Sequence, residues 1–223
     1  MSIKEVQFIR QIFLQEKIKY ALVAVSGGID SSVALTLTVK ALRTENIYTL
    51  QLPYKNQSIK ESDLIIDWVK IPQANRIKIN IGEIVDSFKV TDKVRLGNIM
   101  ARVRMIYGFD QAKKLKALVI GTENKSEKLL GYYTRFGDEA ADIEPMIHLY
   151  KTGVIELARE LKIPDTIINQ HPSAGLWPEQ TDEGDLGFTY KEADEFFQGK
   201  SANKKIAAWL KKVDFKKRVP YTL

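Results

Sequence analysis

Cysteine is absent from the 223 residues, which excludes disulfides, cysteine-containing zinc sites, thiol catalysis and persulfide chemistry. Any nitrogen or sulfur this protein transfers has to arrive ready-made. Long hydrophobic runs are absent too: the charge-free stretch from Tyr20 to Ile29 holds about half of the ~20 residues a membrane-spanning helix needs. Lys4, Glu5 and Arg10 interrupt the N-terminal pattern, so no secretory signal is read there and a soluble cytoplasmic protein is expected. There is no internal repeat, low-complexity tract or linker, and residues 1–223 are expected to form one domain. With 44% hydrophobic and 28% charged residues, a disordered chain is excluded.

Charge of one sign does not dominate either, since 34 Lys and Arg face 28 Asp and Glu for a net +6. The excess gathers between Lys200 and Arg218, where Lys204, Lys205, Lys211, Lys212, Lys216, Lys217 and Arg218 face one acid, Asp214. A solvated helix face and a polyanion contact both fit that run.

What is present is a regular alternation. Ile3, Phe8, Ile12 and Phe13 recur with helical spacing before the apolar run Tyr20 to Val25. Ser31 to Leu42 is helical, Ile47 to Leu52 a strand closed by Pro53, and Glu61 to Lys70 a helix. Arg76 to Ile81 reads as a strand, Val94 to Lys114 as one long helix, Ala117 to Gly121 as a strand and Met146 to Leu149 as a short fifth strand. Short apolar strands separated by helices predict an α/β class, a doubly wound parallel sheet of about five strands flanked by helices. Ligands of such sheets bind beyond the carboxyl ends of the strands, so Ser26 and Gly121 are expected to lie together.

Ser26-Gly27-Gly28-Ile29-Asp30-Ser31-Ser32 joins the first strand to its helix. Paired glycines permit positive φ and close approach of backbone N–H groups to a phosphate. The helix N-terminus adds unpaired N–H groups. Hydroxyls of Ser26, Ser31 and Ser32 can donate to phosphate oxygens, and Asp30 offers a hard carboxylate to Mg²⁺. No Gly-Lys-Ser/Thr follows, which argues against a Walker-type kinase or motor. A plain turn with a Ser or Asp cap would explain part of the loop, but not three serines and an aspartate.

Further segments carry polar side chains to the same end of the sheet. Arg95, Asn98 and Arg102 share one face of the long helix while Arg104 points away, a stripe that also suits solvent. Gly121-Thr122-Glu123-Asn124-Lys125-Ser126-Glu127 follows the fourth strand. Gly131 to Asp142 holds Arg135, Asp138 and Asp142 in one aromatic loop, and Lys151 opens the next helix. Pro172-Ser173-Ala174-Gly175-Leu176-Trp177 leads to Gln180 through Tyr190, where helix capping by Thr181 is the plain reading.

The glycine loop resembles the PP-loop of the N-type ATP pyrophosphatases, with their adenine nucleotide alpha hydrolase-like fold. Taken together, the segments from Ser26 to Pro220 resemble the ammonia-dependent NAD synthetase family. That resemblance implies amidation of deamido-NAD through an adenylated carboxylate, with ATP as co-substrate and Mg²⁺ as cofactor. It implies ATP contacts at Ala24, Val25, Ser26, Gly27, Gly28, Ile29, Asp30, Ser31, Thr122, Lys151 and Ser173, and Mg²⁺ at Asp30 and Glu127. Deamido-NAD would meet Arg102, Arg135, Asp142, Phe215 and Lys216. Lys151 would stabilise the departing pyrophosphate, and Asp138 would receive or deprotonate ammonium. Ser173 stands where many members have Thr, Arg135 where Lys is frequent and Phe215 where the family has His. With no cysteine nucleophile, no glutaminase domain is expected and free ammonia is the nitrogen source. The resemblance also implies a homodimer, with no nucleic acid or membrane partner. Another PP-loop enzyme acting on a different acceptor such as tRNA, or a nucleotide sensor without catalysis, are the alternatives.

Overall fold

The computed structural model describes residues 4–173, 175–177, 179–218 and 221. Ile3, Ala174 and Pro220 lie outside them. The elements run α1 (Lys4–Glu16), β1 (Tyr20–Ala24), α2 (Ile29–Ala41), β2 (Ile47–Gln51), α3 (Lys60–Trp68), β3 (Arg76–Lys78), α4 (Gly82–Ser87), α5 (Lys93–Leu115), β4 (Ala117–Ile120), α6 (Lys125–Leu130), α7 (Lys151–Glu160), α8 (Asp165–Ile168), α9 (Asp182–Leu186), α10 (Tyr190–Phe197) and α11 (Lys204–Val213).

All strand pairs are parallel, in the order β3-β2-β1-β4. Side chains alternate across β1: Ala21 and Val23 join the core shared with α1, α2, α3 and α7, whereas Leu22 joins the core shared with α4 and α5. Helices on both faces bury these strands, which is why they carry so little charge. α2 is the most enclosed helix; its Thr36 and Thr38 hydroxyls donate to the carbonyls of Ser32 and Ala34 at 2.7 Å. Arg10 of α1 reaches the last carbonyls of α2, donating to Ala41 O at 2.9 Å and Lys40 O at 2.8 Å.

Among the described residues the sheet has four strands, not about five. Met146 to Leu149 forms turns, and the expected fifth strand shrinks to one bridge between Ile120 and Ile143. Pro145 has no N–H to extend that ladder. β3 also ends at Lys78, short of Ile81, and α4 escaped the periodicity because it has only six residues.

The chain steps from β1 to β2 to β3 and then returns to place β4 on the other side of β1. This reversal opens a crevice at the carboxyl ends of β1 and β4. Ala24 pairs with Leu50 in a central strand and is nonetheless exposed, which marks where the crevice opens. A third apolar cluster, built from Leu130, Leu186, Phe188, Tyr190, Ala193 and Ile206, ties α6 to α9, α10 and α11. Trp209 Nε1 donates to Leu130 O at 2.8 Å within it. The lysines of α11 are solvated, whereas Lys216 turns inward. No helix among the described residues is long and apolar enough to cross a membrane.

Candidate active site

β1 ends in the glycine loop, and one of its two glycines uses the freedom of that residue type. Gly27 has φ +92°, and a Cβ there would lie 2.7 Å from Ser62 N and 2.8 Å from Glu61 Cβ of α3. Gly28 is the extended N-cap of α2 at φ −72°, so the expected positive φ does not extend to it. The serines are also less free than expected. Ser32 is fully buried and its hydroxyl donates to Gly28 O at 2.9 Å, so it faces no phosphate. Ser31 Oγ donates to the same carbonyl at 3.0 Å and lies 3.1 Å from Ser26 Oγ, which accepts from Gly28 N at 3.2 Å. These bonds shape the turn, and the N–H groups of the first turn of α2 remain without helical partners, aimed toward the crevice. Gly27→Ala is expected to cost roughly 2 kcal/mol or more and to abolish ATP binding, read by urea unfolding and calorimetric titration.

Across the crevice, α6 begins with a capping box: Asn124 Oδ1 accepts from Glu127 N at 3.0 Å, and Glu127 Oε2 accepts from Asn124 N at 3.3 Å. Asn124 Nδ2 also donates to Asp30 Oδ1 at 2.9 Å, joining the β1 and β4 loops. From the first turn of α7, Lys151 Nζ reaches Asp30 Oδ2 at 2.5 Å and Glu127 Oε1 at 3.2 Å. Only 2% of the Lys151 side chain is exposed, against 18% and 17% for its partners. Burial by itself would lower the Lys151 pKa, but Asp30 and Glu127 outweigh it and hold the ammonium above its ordinary value. Burial, reinforced by the Asp30 charge, pushes Glu127 up to about 8.

Asp194 of α10 fastens this cluster from behind. It is buried, accepts from Thr152 N at 3.0 Å and Thr152 Oγ1 at 2.8 Å, and bonds Ser126 Oγ. Ser126 Oγ in turn accepts from Lys151 N at 2.9 Å.

The loop from Gly131 to Asp142 docks on the polar stripe of α5. Thr134 Oγ1 donates to Asn98 Oδ1 at 2.7 Å, and Arg102 Nε donates to Arg135 O at 3.2 Å. Asn98 and Arg102 therefore hold a loop; Arg95 of the same stripe is exposed. Asp138 Oδ1 accepts from Thr134 N at 2.8 Å. Protein packed around the carboxyl raises its pKa, opposed by hydrogen bonds from Thr134 and by the Lys216 charge, although the residue as a whole is exposed. Lys216 Nζ donates to Gly131 O at 2.8 Å and Tyr133 O at 2.7 Å, and Arg135 lies 5.3 Å from the Phe215 ring centre. Phe215 thus stacks on a guanidinium. Asp142 Oδ2 accepts from Val119 N at 2.8 Å, committing one oxygen to the end of β4. Thr122 is half-buried at the mouth of the crevice, and Ser173 Oγ accepts from Gly175 N at 3.0 Å. Thr181 caps α9 through Gly184 N at 3.2 Å, the plain reading of that residue.

Several neighbours were not anticipated as site residues. Arg104 turns from the stripe to the end of β2, donating to Leu52 O at 3.1 Å and Gln57 Oε1 at 3.0 Å, and Gln57 Nε2 donates to Gly175 O at 2.9 Å. Gly97 lets Leu176 approach, since a Cβ would lie 2.7 Å from Leu176 Cδ1. Glu123 is buried and Glu144 half-buried with its carboxyl enclosed beside β4, and burial first of all pushes their carboxyls up to about 7 and about 8. The folded Glu144 thus keeps a proton that the unfolded chain releases near pH 4.5, so this group's destabilising effect grows from about pH 4.5 to about pH 8. Glu144→Gln is accordingly expected to raise the melting temperature at pH 8 and to leave it nearly unchanged at pH 5, measured by calorimetry.

The NAD synthase family model matches residues 2–220. The NH(3)-dependent NAD(+) synthetase of Fusobacterium nucleatum is 42% identical over 197 residues, 85% of this chain and 75% of that protein. An NMN synthetase from Francisella tularensis superposes with a TM-score of 0.89 at 35% identity, covering 99% of this chain and 95% of that one. The NH3-dependent NAD synthetase from Campylobacter jejuni superposes with a TM-score of 0.79 at 29% identity, covering 99% and 96%.

Proposed function

The chain belongs to the NAD synthase family, and from that premise we propose that it amidates deamido-NAD with ammonia, converting ATP to AMP and pyrophosphate. The observation that carries this reading is the meeting of Asp30, Glu127 and Lys151 at the first turn of α2. A carboxylate is a poor acyl donor because oxide is a poor leaving group. The nicotinate carboxylate therefore attacks the α-phosphorus of ATP, and pyrophosphate departs. Ammonia then adds to the acyl carbon and AMP leaves.

The proposed roles are those that the family resemblance implies. ATP lies along Ala24 to Ser31, with Thr122, Lys151 and Ser173 as further contacts. The first-turn N–H groups of α2 and the Lys151 ammonium face the charge that builds on departing pyrophosphate. Asp30 and Glu127 suit Mg²⁺ as hard carboxylates that meet at the loop, where Lys151 Nζ and Asn124 engage them, and Mg²⁺ is commonly shared between one or two carboxylates and substrate phosphates. Bound there, Mg²⁺ supplies charge neutralisation of the phosphates. Arg102, Arg135, Asp142, Phe215 and Lys216 contact the deamido substrate, and Asp138 accepts the proton that frees ammonia from ammonium.

A second reading concerns the size of the acceptor. The similarity to an NMN synthetase over nearly the whole chain favours nicotinate mononucleotide, which presents the same carboxylate without the adenosine half. A homodimer is also proposed, supported by exposed Val94 and Ile106 on α5 and Phe88 just beyond α4; sedimentation equilibrium reads it directly. The demand for ATP supports a cytoplasmic setting.

The test incubates the protein with ATP, Mg²⁺, ammonium and either deamido-NAD or nicotinate mononucleotide, resolving AMP from ADP. Equal amounts of amide and AMP are expected, lost in Asp30→Ala and not restored by glutamine in place of ammonium. The preferred acceptor decides between the two readings. Folded, ATP-binding protein that forms no AMP with either acceptor would overturn both and direct the search to tRNA or to a nucleotide sensor.

A further inference from the structure

We propose that Glu123 and Glu144 form a monovalent-cation site that holds ammonium beside the ATP loop; the choice of ammonium rests on the amidation reading above. The bridge between Ile120 and Ile143 brings Glu144 alongside Gly121. Its carboxylate takes the place a side chain would occupy there: a Cβ on Gly121 would lie 2.0 Å from Oε1 and 2.6 Å from Oε2. Neither Glu144 oxygen reaches solvent or finds a hydrogen-bond partner, and Glu123 Oε1 is in the same position. The Glu123 residue is 6% exposed. The backbone amide of Glu123 faces the Glu144 carboxylate without completing a hydrogen bond. Three carboxyl oxygens are therefore buried without partners, and a cation bound there would replace the proton that burial otherwise keeps on Glu144.

Lys128 does not answer this need. It lies 3.4 Å from Glu123 Oε2 and is shared with Glu139 at 3.6 Å. Glu144 has no ion pair of its own among the described residues, and the charges of Glu123 and Glu127 further disfavour its ionisation. A small cation bearing several N–H donors would satisfy all three oxygens at once. Ammonium does so as a compact tetrahedral donor, whereas Mg²⁺ dehydrates reluctantly and prefers six oxygens. The position suits a nitrogen store: Thr122 separates Gly121 from Glu123, Glu127 is one helical turn further on, and the Asp138 charge is felt at Glu123. Ammonium held here lies on the approach to the carboxylate proposed to deprotonate it.

Two arms test this on the full chain. Crystals of the wild-type protein soaked in thallium(I), a heavy stand-in for ammonium and potassium, are expected to show anomalous density between Glu144 and Glu123 that is absent in Glu144→Gln. In turnover assays potassium is expected to raise the KM for ammonium without lowering kcat. Glu144→Gln is expected to raise that KM about tenfold, the loss of one charge-assisted contact, to abolish the potassium effect and to leave the KM for ATP unchanged. Density at the pair without amide formation would keep the cation site and remove the amidation reading. Amide formation with no thallium at the pair and no potassium competition would overturn the site and leave a proton shared by two carboxyls. Manganese density at the pair in place of thallium would overturn it as well. The thallium and potassium arms need only wild-type protein, so a variant that fails to fold does not shield the proposal.

Discussion

Replacing Lys151 by methionine is expected to lower turnover about a hundred- to a thousandfold, the range seen when one preorganised electrostatic contact to developing charge is removed. The same change withdraws the cation from between Asp30 and Glu127, which lie 2.5 and 3.2 Å from Nζ. Removing one partner of a buried ion pair costs roughly 3–5 kcal/mol, because the remaining charge has lost both water and its counter-ion. Lys151→Met should therefore melt at a lower temperature than wild type and recover more with added Mg²⁺, which can take over the neutralisation. Arginine should not restore the rate, since a planar fork cannot occupy the point where two carboxylates meet an ammonium. Quenched-flow measurement of AMP release and calorimetry with and without Mg²⁺ check both halves. A wild-type rate with a wild-type melting temperature would remove Lys151 from the chemistry.

The second large effect is expected at a residue that touches no substrate. Asp194→Ala strips a buried carboxylate that receives three hydrogen bonds, from Ser126 Oγ, Thr152 N and Thr152 Oγ1. Bonds to a charged acceptor contribute ~1.5–3 kcal/mol each and are not additive, so a loss of about 4 kcal/mol is expected in urea unfolding. Ser126 also accepts the backbone N–H of Lys151 at 2.9 Å, and the variant should accordingly lose kcat as well as stability. Asp194→Asn keeps the acceptor oxygen and should recover part of both. A change of roughly 0.5 kcal/mol or less, typical of surface substitutions, would show that the α6, α7 and α10 junction is held by packing alone.

The contrast between these two residues shows what was legible in the chain. Lys151 stood at the start of a helix in a recognisable series of motifs, and Asp30 and Glu127 followed a glycine loop and a strand end, positions whose chemistry is local. Asp194 sits in an ordinary amphipathic helix, where an acid reads as solvent-facing; α10 turns it inward onto α6 and α7. Glu144 precedes the stretch that reads as a fifth strand, and only the bridge at Ile143 shows its carboxylate against Gly121. Arg104 pointed away from the polar stripe, as the 100° periodicity predicts, but what it points to, the end of β2 and Gln57, lies about fifty residues away in sequence.

The sequence by itself determined the alternation of strand and helix and the phosphate-type turn after β1, because each depends on spacing within one or two turns of chain, and its resemblance to a family singled out Asp30, Glu127 and Lys151. Tertiary structure decided the rest. The crossover order placed β4 beside β1, so that residues 121 positions apart, Asp30 and Lys151, meet at one ammonium. It also buried three carboxyl oxygens without partners, and committed Ser32 and part of Asp142 to holding the backbone. Such assignments depend on which surfaces exclude water from one another, and that is a property of the packed chain.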